Sequence, residues 1–214
     1  MLNKSLSATL FLLLGFANAL ATPQIPDILI YEGKEYPIYN DILRHYFVKF
    51  PERNPKKEDE VCSALWRGYR STFEVSDGTV YLKDVFTNVC FGTPVSELKR
   101  VSPEGKRLAA DWYSGLIPAF YGDNKIDAYS LEFLDAFDKY SLFEVDHGKL
   151  REVRHFDNQG YRKFKKLQFQ AYKATEDYRE HLKQSSGQLP FDKEAFDNDA
   201  EFWITFRTKT FLVD

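Results

Sequence analysis

The chain has 214 residues, with 29 Lys+Arg against 32 Asp+Glu, a formal net charge of −3 and 43% hydrophobic residues. That balance excludes a basic nucleic-acid binder by overall charge. The length fits one domain, or one domain with an appendage, able to bury roughly 70% of its unfolded surface without metal or a dense disulfide framework.

Met1–Ala21 carries one basic side chain, Lys4, an apolar run at Leu6–Phe16 and small residues at Ala19 and Ala21. A charged start, a short apolar stretch and an A-x-A ending predict a secretory signal peptide cleaved after Ala21. The apolar run is too short for a hydrocarbon core that needs roughly 20 residues. An exported protein, periplasmic or extracellular, is expected, with residues 22–214 as a single α+β domain. No stable membrane span is expected after cleavage.

Ile28–Tyr31 and Tyr36–Tyr39 flank Glu32-Gly33-Lys34-Glu35 and read as a small hairpin. Asn40-Asp41 is placed to cap a short helix bearing Ile42, Leu43, Tyr46 and Phe47 at helical spacing. Residues 51–60, charged and proline-bearing, read as a surface loop. Two β-type runs, 66–75 and 79–86, then flank Ser76-Asp77-Gly78, a hairpin signature because Gly takes positive φ at no steric cost. Pairing about that turn brings Cys62 nearly opposite Cys90. In an exported chain the two predict a disulfide tying the open ends of the hairpin, worth ~3–4 kcal/mol in the chain-entropy model. Free thiols, or metal ligands short of partners, are the alternatives.

Ser141–Gly148 matches Ser71–Gly78 at five positions with a constant offset of 70, and Leu150–Val153 echoes Leu82–Val85 with the offset slipped by two. The echo reads either as two related β halves or as shared turn chemistry. Between the copies, short apolar pieces broken by Gly and Pro suggest strands and tight turns, and Ser130–Tyr140 fits helix or strand. From Asn158 to Ser186, apolar positions recur every three or four residues, predicting one long amphipathic helix stopped at Gly187. Arg162, Lys163, Lys165 and Lys166 make its start basic, which is a solvated face or a small polyanion site. Phe202–Phe206 and Thr210–Val213 read as terminal strands. The predicted class is therefore α+β: an antiparallel, hairpin-rich sheet system over 27–156, then helix and terminal strands over 157–214.

The strings W-R-G-Y at Trp66–Tyr69, the strand ending Leu82–Asp84, A-D-W-x-S-G at Ala110–Gly115 and a second hairpin at Tyr140–Leu150 occur in this order. In them the chain resembles a family of uncharacterised bacterial proteins, over roughly residues 27–153. The resemblance implies a shared fold and assigns no activity. The segment 116–137 fits the family pattern poorly.

Chemistry is sparse. Ser114 lacks the flanking glycines of a nucleophile elbow, and there is no zincin, P-loop or dinucleotide motif. Asp123, Lys125 and Asp127 start like a calcium loop that fails at Ala128 and Leu134. His45, His147, His155 and His181 are scattered. No metal and no cofactor are expected. Asp84, ending an aromatic-rich strand, and Asp111, beside Trp112 and Tyr113, are candidate general acids or sugar-hydroxyl ligands. Each would otherwise cap a turn or pair with Arg67 or Arg70. Trp66, Arg67 and Tyr69, with Trp112 and Tyr113, are candidate binding residues, because Trp, Tyr and Arg dominate binding hot spots. They would otherwise be core rings and a solvated Arg. The leading expectation is a non-enzymatic binding protein of the cell envelope with a protein or glycan partner and no nucleic acid. The alternative is a glycan hydrolase using paired carboxylates.

Overall fold

Three two-residue turns, Glu32-Gly33, Asp77-Gly78 and His147-Gly148, put both of their residues at positive φ, between 47° and 73°. This is the mirror-image turn whose twist matches flanking antiparallel strands. The computed structural model describes residues 24–56, 61–124, 133–187 and 190–214; the expected leader lies outside them, as do residues 125–132. The described residues form nine strands: β1 (Asp27–Tyr31), β2 (Lys34–Ile38), β3 (Arg70–Ser76), β4 (Thr79–Thr87), β5 (Val95–Ser96), β6 (Leu108–Ala109), β7 (Gly115–Asn124), β8 (Phe137–Asp146) and β9 (Lys149–Asp157). They form six α-helices: α1 (Ile42–Lys49), α2 (Leu98–Val101), α3 (Asn158–Tyr172), α4 (Glu176–Ser186), α5 (Lys193–Phe202) and α6 (Ile204–Arg207).

The strands run in the order β3-β1-β2-β7-β8-β9-β4, and β4 pairs back onto β3 to close a seven-stranded barrel. Short β5 and β6 add to β4. The α+β class stands. The sheet is mixed rather than purely antiparallel, because β1 and β3 pair parallel through Ile28↔Thr72 to Ile30↔Glu74. The two echoing segments are the β3–β4 and β8–β9 hairpins, neighbours in this one barrel. They touch at Thr79↔Lys149, reinforced by Val80 N–H to the Gly148 carbonyl (2.8 Å) and Leu150 N–H to the Gly78 carbonyl (2.9 Å).

The barrel interior joins Leu29, Ile38, Phe73, Leu82, Ile117, Phe143 and Val145 in one core with Ile42, Leu43, Tyr46 and Phe47 of α1. Asp41 caps α1 as expected, accepting from the Arg44 amide. Strands β7 and β8 are buried on both faces: Phe120, Tyr140 and Leu142 pack outward on Tyr161 and Phe164 of α3. Most of the aromatic excess is consumed in this way, as in the Tyr140–Tyr161 stack at 4.0 Å.

The predicted long helix is two. Thr175 accepts from the Tyr178 amide and donates to the Tyr172 carbonyl, so one hydroxyl ends α3 and starts α4. Side chains of this type compete with the helical ladder and favour caps. The aromatics at 202–206, predicted as a strand, are helical instead. Asp192 caps α5 through the Glu194 and Ala195 amides. Phe196, Ala200 and Ile204 then fall four residues apart and pack together with Phe169, Tyr172 and Tyr178, a helical stripe that alternation cannot supply. Residues 210–213 carry no strand assignment either. They lie over the β8–β9 face, where Phe211 N–H donates to Glu144 and Arg154 donates to the Val213 carbonyl.

The Cys62–Cys90 disulfide is present, with Cα atoms 6.4 Å apart, and it closes the open end of the β3–β4 hairpin. No described helix is long and apolar enough to cross a membrane.

Candidate functional site

The residues singled out in the sequence are dispersed. Trp66 is 69% exposed. Arg67 turns inward: Nη2 donates to Asp27 Oδ1 (2.7 Å) and to the Ile25 carbonyl, and Nε donates to the Tyr69 carbonyl. Tyr69 is buried and donates to Asp41 Oδ1 (2.9 Å); burial drives its phenol well above the ordinary range, so it stays a donor. Trp112 is half-buried and donates from its indole to the Ile42 carbonyl (3.2 Å). Tyr113 is buried, donates to the Leu116 carbonyl (3.0 Å) and accepts from Asn40 Nδ2 (3.1 Å).

The two candidate acids are not brought together. Asp84 Oδ1 accepts from Ser96 Oγ (2.6 Å) and from the Val85 amide (2.8 Å). Asp111 is exposed, just past Ala110, whose amide donates to the Val80 carbonyl. Val80 is four residues from Asp84 on one strand, which is about 13 Å at 3.3 Å per residue. The antiparallel course from Ala109 to Asp111 lengthens the gap, and paired-carboxylate glycoside hydrolysis needs roughly 5–10 Å. The A-D-W-x-S-G string works as a clasp: the Tyr113 carbonyl accepts from Gly148 N–H (3.0 Å), and Ser114 Oγ accepts from His147 N–H (2.8 Å).

The histidines are spoken for separately. His147 meets Asp146 (2.6 Å) and His155 meets Ser141 (2.7 Å). Arg207 donates to His181 Nε2 (3.0 Å), so that ring is neutral, and burial together with the guanidinium holds its pKa low. Among the described residues no group of three His, Cys, Asp or Glu could hold a metal ion.

What the fold does bring together is a cleft of about 380 Å³ between the start of α1, the segment entering β7 and the end of α6. Its volume falls within the range of small-molecule sites. Arg44, His45, Arg207 and Lys209 line it, with Asp41 as the single carboxylate. Asp41 is already engaged, capping α1 through the Arg44 amide and accepting from Tyr69. Among the described residues neither the Arg44 guanidinium nor the Lys209 ammonium has an ion-pair partner. Arg207 is held by Asp199 (2.7 Å). Two lining residues also keep unpaired polar atoms shielded from solvent, the acceptor Asn40 Oδ1 and the donor Arg207 Nε.

A second cleft of about 270 Å³ shares Asp41 and Arg44 with the first. Phe47, Lys56, Arg67 and Tyr69 are among its walls. Sequence reasoning missed the first cleft, apart from Tyr113, because its cations lie more than 160 positions apart, at 44–45 and 207–209. The one local signal was the Asn40-Asp41 cap, which sets where α1 begins and so where Arg44 and His45 project. Comparisons with family models, with curated proteins and with solved structures returned no match to this chain.

Proposed function

We propose that this chain is an exported, non-enzymatic binding protein of the bacterial envelope, and that it takes an anionic ligand in the cleft between α1 and α6. One observation carries the reading: three cations line the cavity against a single carboxylate, Asp41, and two of them, Arg44 and Lys209, have no ion-pair partner among the described residues. Clefts lined by one sign of charge focus the field and concentrate counter-ions. A guanidinium also supplies a planar fork for carboxylate or phosphate. The leader-like start and the disulfide support the exported location.

The test is a titration of the oxidised chain with galacturonate and with inorganic phosphate, followed by calorimetry. Arg44→Ala together with Lys209→Ala is expected to weaken anion binding at least tenfold, about 1.4 kcal/mol, with the thermal midpoint unchanged. Equal binding by wild type and the double variant would remove the cleft as the site. Turnover of a glycan substrate that survives the double variant would favour the hydrolase reading instead.

A further inference from the structure

His45 is the one histidine whose ring nitrogens have no hydrogen-bond partner among the described residues. It stands on the exposed side of α1, one residue past Arg44, in the wall of the larger cleft. Its ring meets that of Tyr113 edge-on, with centroids 5.8 Å apart, and Tyr113 is fixed in turn by Leu116 and Asn40. We propose that anion binding in this cleft is coupled to protonation of His45, which then acts as its fourth cation, so that the site takes up a proton with its ligand and binds more tightly as pH falls. This rests on the anion-binding reading of the larger cleft.

Histidine is the side chain whose charge changes between about pH 5 and 8. A neutral imidazole offers one donor and one acceptor, whereas imidazolium offers two donors and a positive charge. The groups around His45 set the sign. Arg44 and the cap Asp41 neighbour it on its own helix, and Arg207 and Lys209 line the same cleft from the end of α6. In the empty cleft His45 therefore shares the walls with three cations and one carboxylate. An anionic ligand reverses that balance and favours the imidazolium, and linkage requires the proton to favour the anion by the same factor. On the β7 side the wall is Tyr113, Ser114 and Gly115. Beyond Ser114 lie Asp146 and His147, bonded to each other (2.6 Å). Behind Arg207 stand Asp199 and His181. His181 is the rival sensor, because its protonation would remove the acceptor that Arg207 uses. It does not line the cleft, however, and burial together with the guanidinium holds its pKa low.

The experiment titrates the oxidised chain with galacturonate and with sulfate, whose charges are constant from pH 5.5 to pH 8.0, by calorimetry in two buffers of different ionisation enthalpy. Wild type is expected to bind at least fivefold more tightly at pH 5.5 than at pH 8.0, with net proton uptake between them. His45→Gln is expected to flatten that ratio to less than twofold and to abolish the uptake. His45→Lys, whose charge pH 8.0 does not remove, is expected to bind equally at both pH values. His181→Gln and His147→Gln are expected to keep the wild-type ratio, and thermal midpoints at both pH values check that each variant is folded. A flat wild-type profile, or a full ratio in His45→Gln, would overturn the proton coupling while leaving the anion site standing. Loss of the ratio in His181→Gln or His147→Gln instead would overturn His45 as the sensor. Binding of neither anion at either pH would overturn both the coupling and the anion site it rests on.

Discussion

Hairpin β3–β4 turns at Asp77-Gly78 in open space, whereas hairpin β8–β9 turns at His147-Gly148 against the main chain of Ala110 and Asp111. The two glycines have nearly the same φ, +67° and +72°. A Cβ on Gly78 would meet nothing within 4 Å; on Gly148 it would sit 2.8 Å from the Ala110 carbonyl. The bulges differ too. Lys83 is the extra residue in β4 and Arg151 the extra residue in β9, five and three positions past their turn glycines. That difference is the two-residue slip in the sequence echo. The open ends are tied by different chemistry: the disulfide on one hairpin, and on the other Asn158, which donates to the Asp135 and Phe137 carbonyls and to Tyr140. Local turn chemistry therefore makes a hairpin, and the neighbours decide what depends on it.

The first contrast is between the glycines. Gly148→Ala carries the left-handed cost of about 1–2 kcal/mol plus an overpacking cost of about 1–3 kcal/mol. Gly78→Ala carries only the first. Denaturant unfolding of the two variants reads the difference, and equal losses would mean that the Ala110 clasp does not press on Gly148. Next, replacing Cys62 and Cys90 by Ser is expected to cost ~3–4 kcal/mol. Hydrogen exchange should show the loss concentrated in β3 and β4, with β8 and β9 protected; uniform loss would mean that the barrel opens as a unit. Asn158→Ala is the counterpart on the other hairpin, at about 1–3 kcal/mol for carbonyls left unpaired, and exchange should then concentrate in β8 and β9.

The last effect is a pH dependence at Asp27, the first residue of β1. Asp27 is fully buried, and burial lifts its pKa from 3.8 to about 6 against the opposing pull of Arg67; Asp41 nearby adds to the rise. The folded state holds this proton more tightly than the unfolded chain does. Its stabilising contribution is thus complete below about 3.8 and fades as pH rises through about 6, on the order of 3 kcal/mol in all. Wild type should lose thermal midpoint between pH 4 and pH 7 relative to Asp27→Asn. Parallel profiles for the two proteins would show that Asp27 titrates normally.

Much of the local structure was legible in the residues. Glu32-Gly33 and Asp77-Gly78 marked their turns, Asp41 its helix start, and Cys62 with Cys90 the tied hairpin, because each signal acts within a few residues or through one covalent bond. Phe202–Phe206 misled for the opposite reason. A cluster of aromatics alternates closely enough to read as strand, and the helical stripe Phe196, Ala200, Ile204 gains only once α3 and α4 supply its partners. Of the residues nominated for binding, Tyr113 lies in the wall of the larger cleft, Arg67 and Tyr69 in that of the smaller, and Trp112 in neither. By itself the sequence determined the class, the turns of the hairpins, the cap of α1 and the disulfide. Tertiary structure alone decided the parallel β1–β3 pair, the closure through Thr79 and Lys149, and the meeting of Arg44 with Arg207 and Lys209. These join segments distant along the chain, whose approach depends on the summed burial of the barrel core rather than on any local preference.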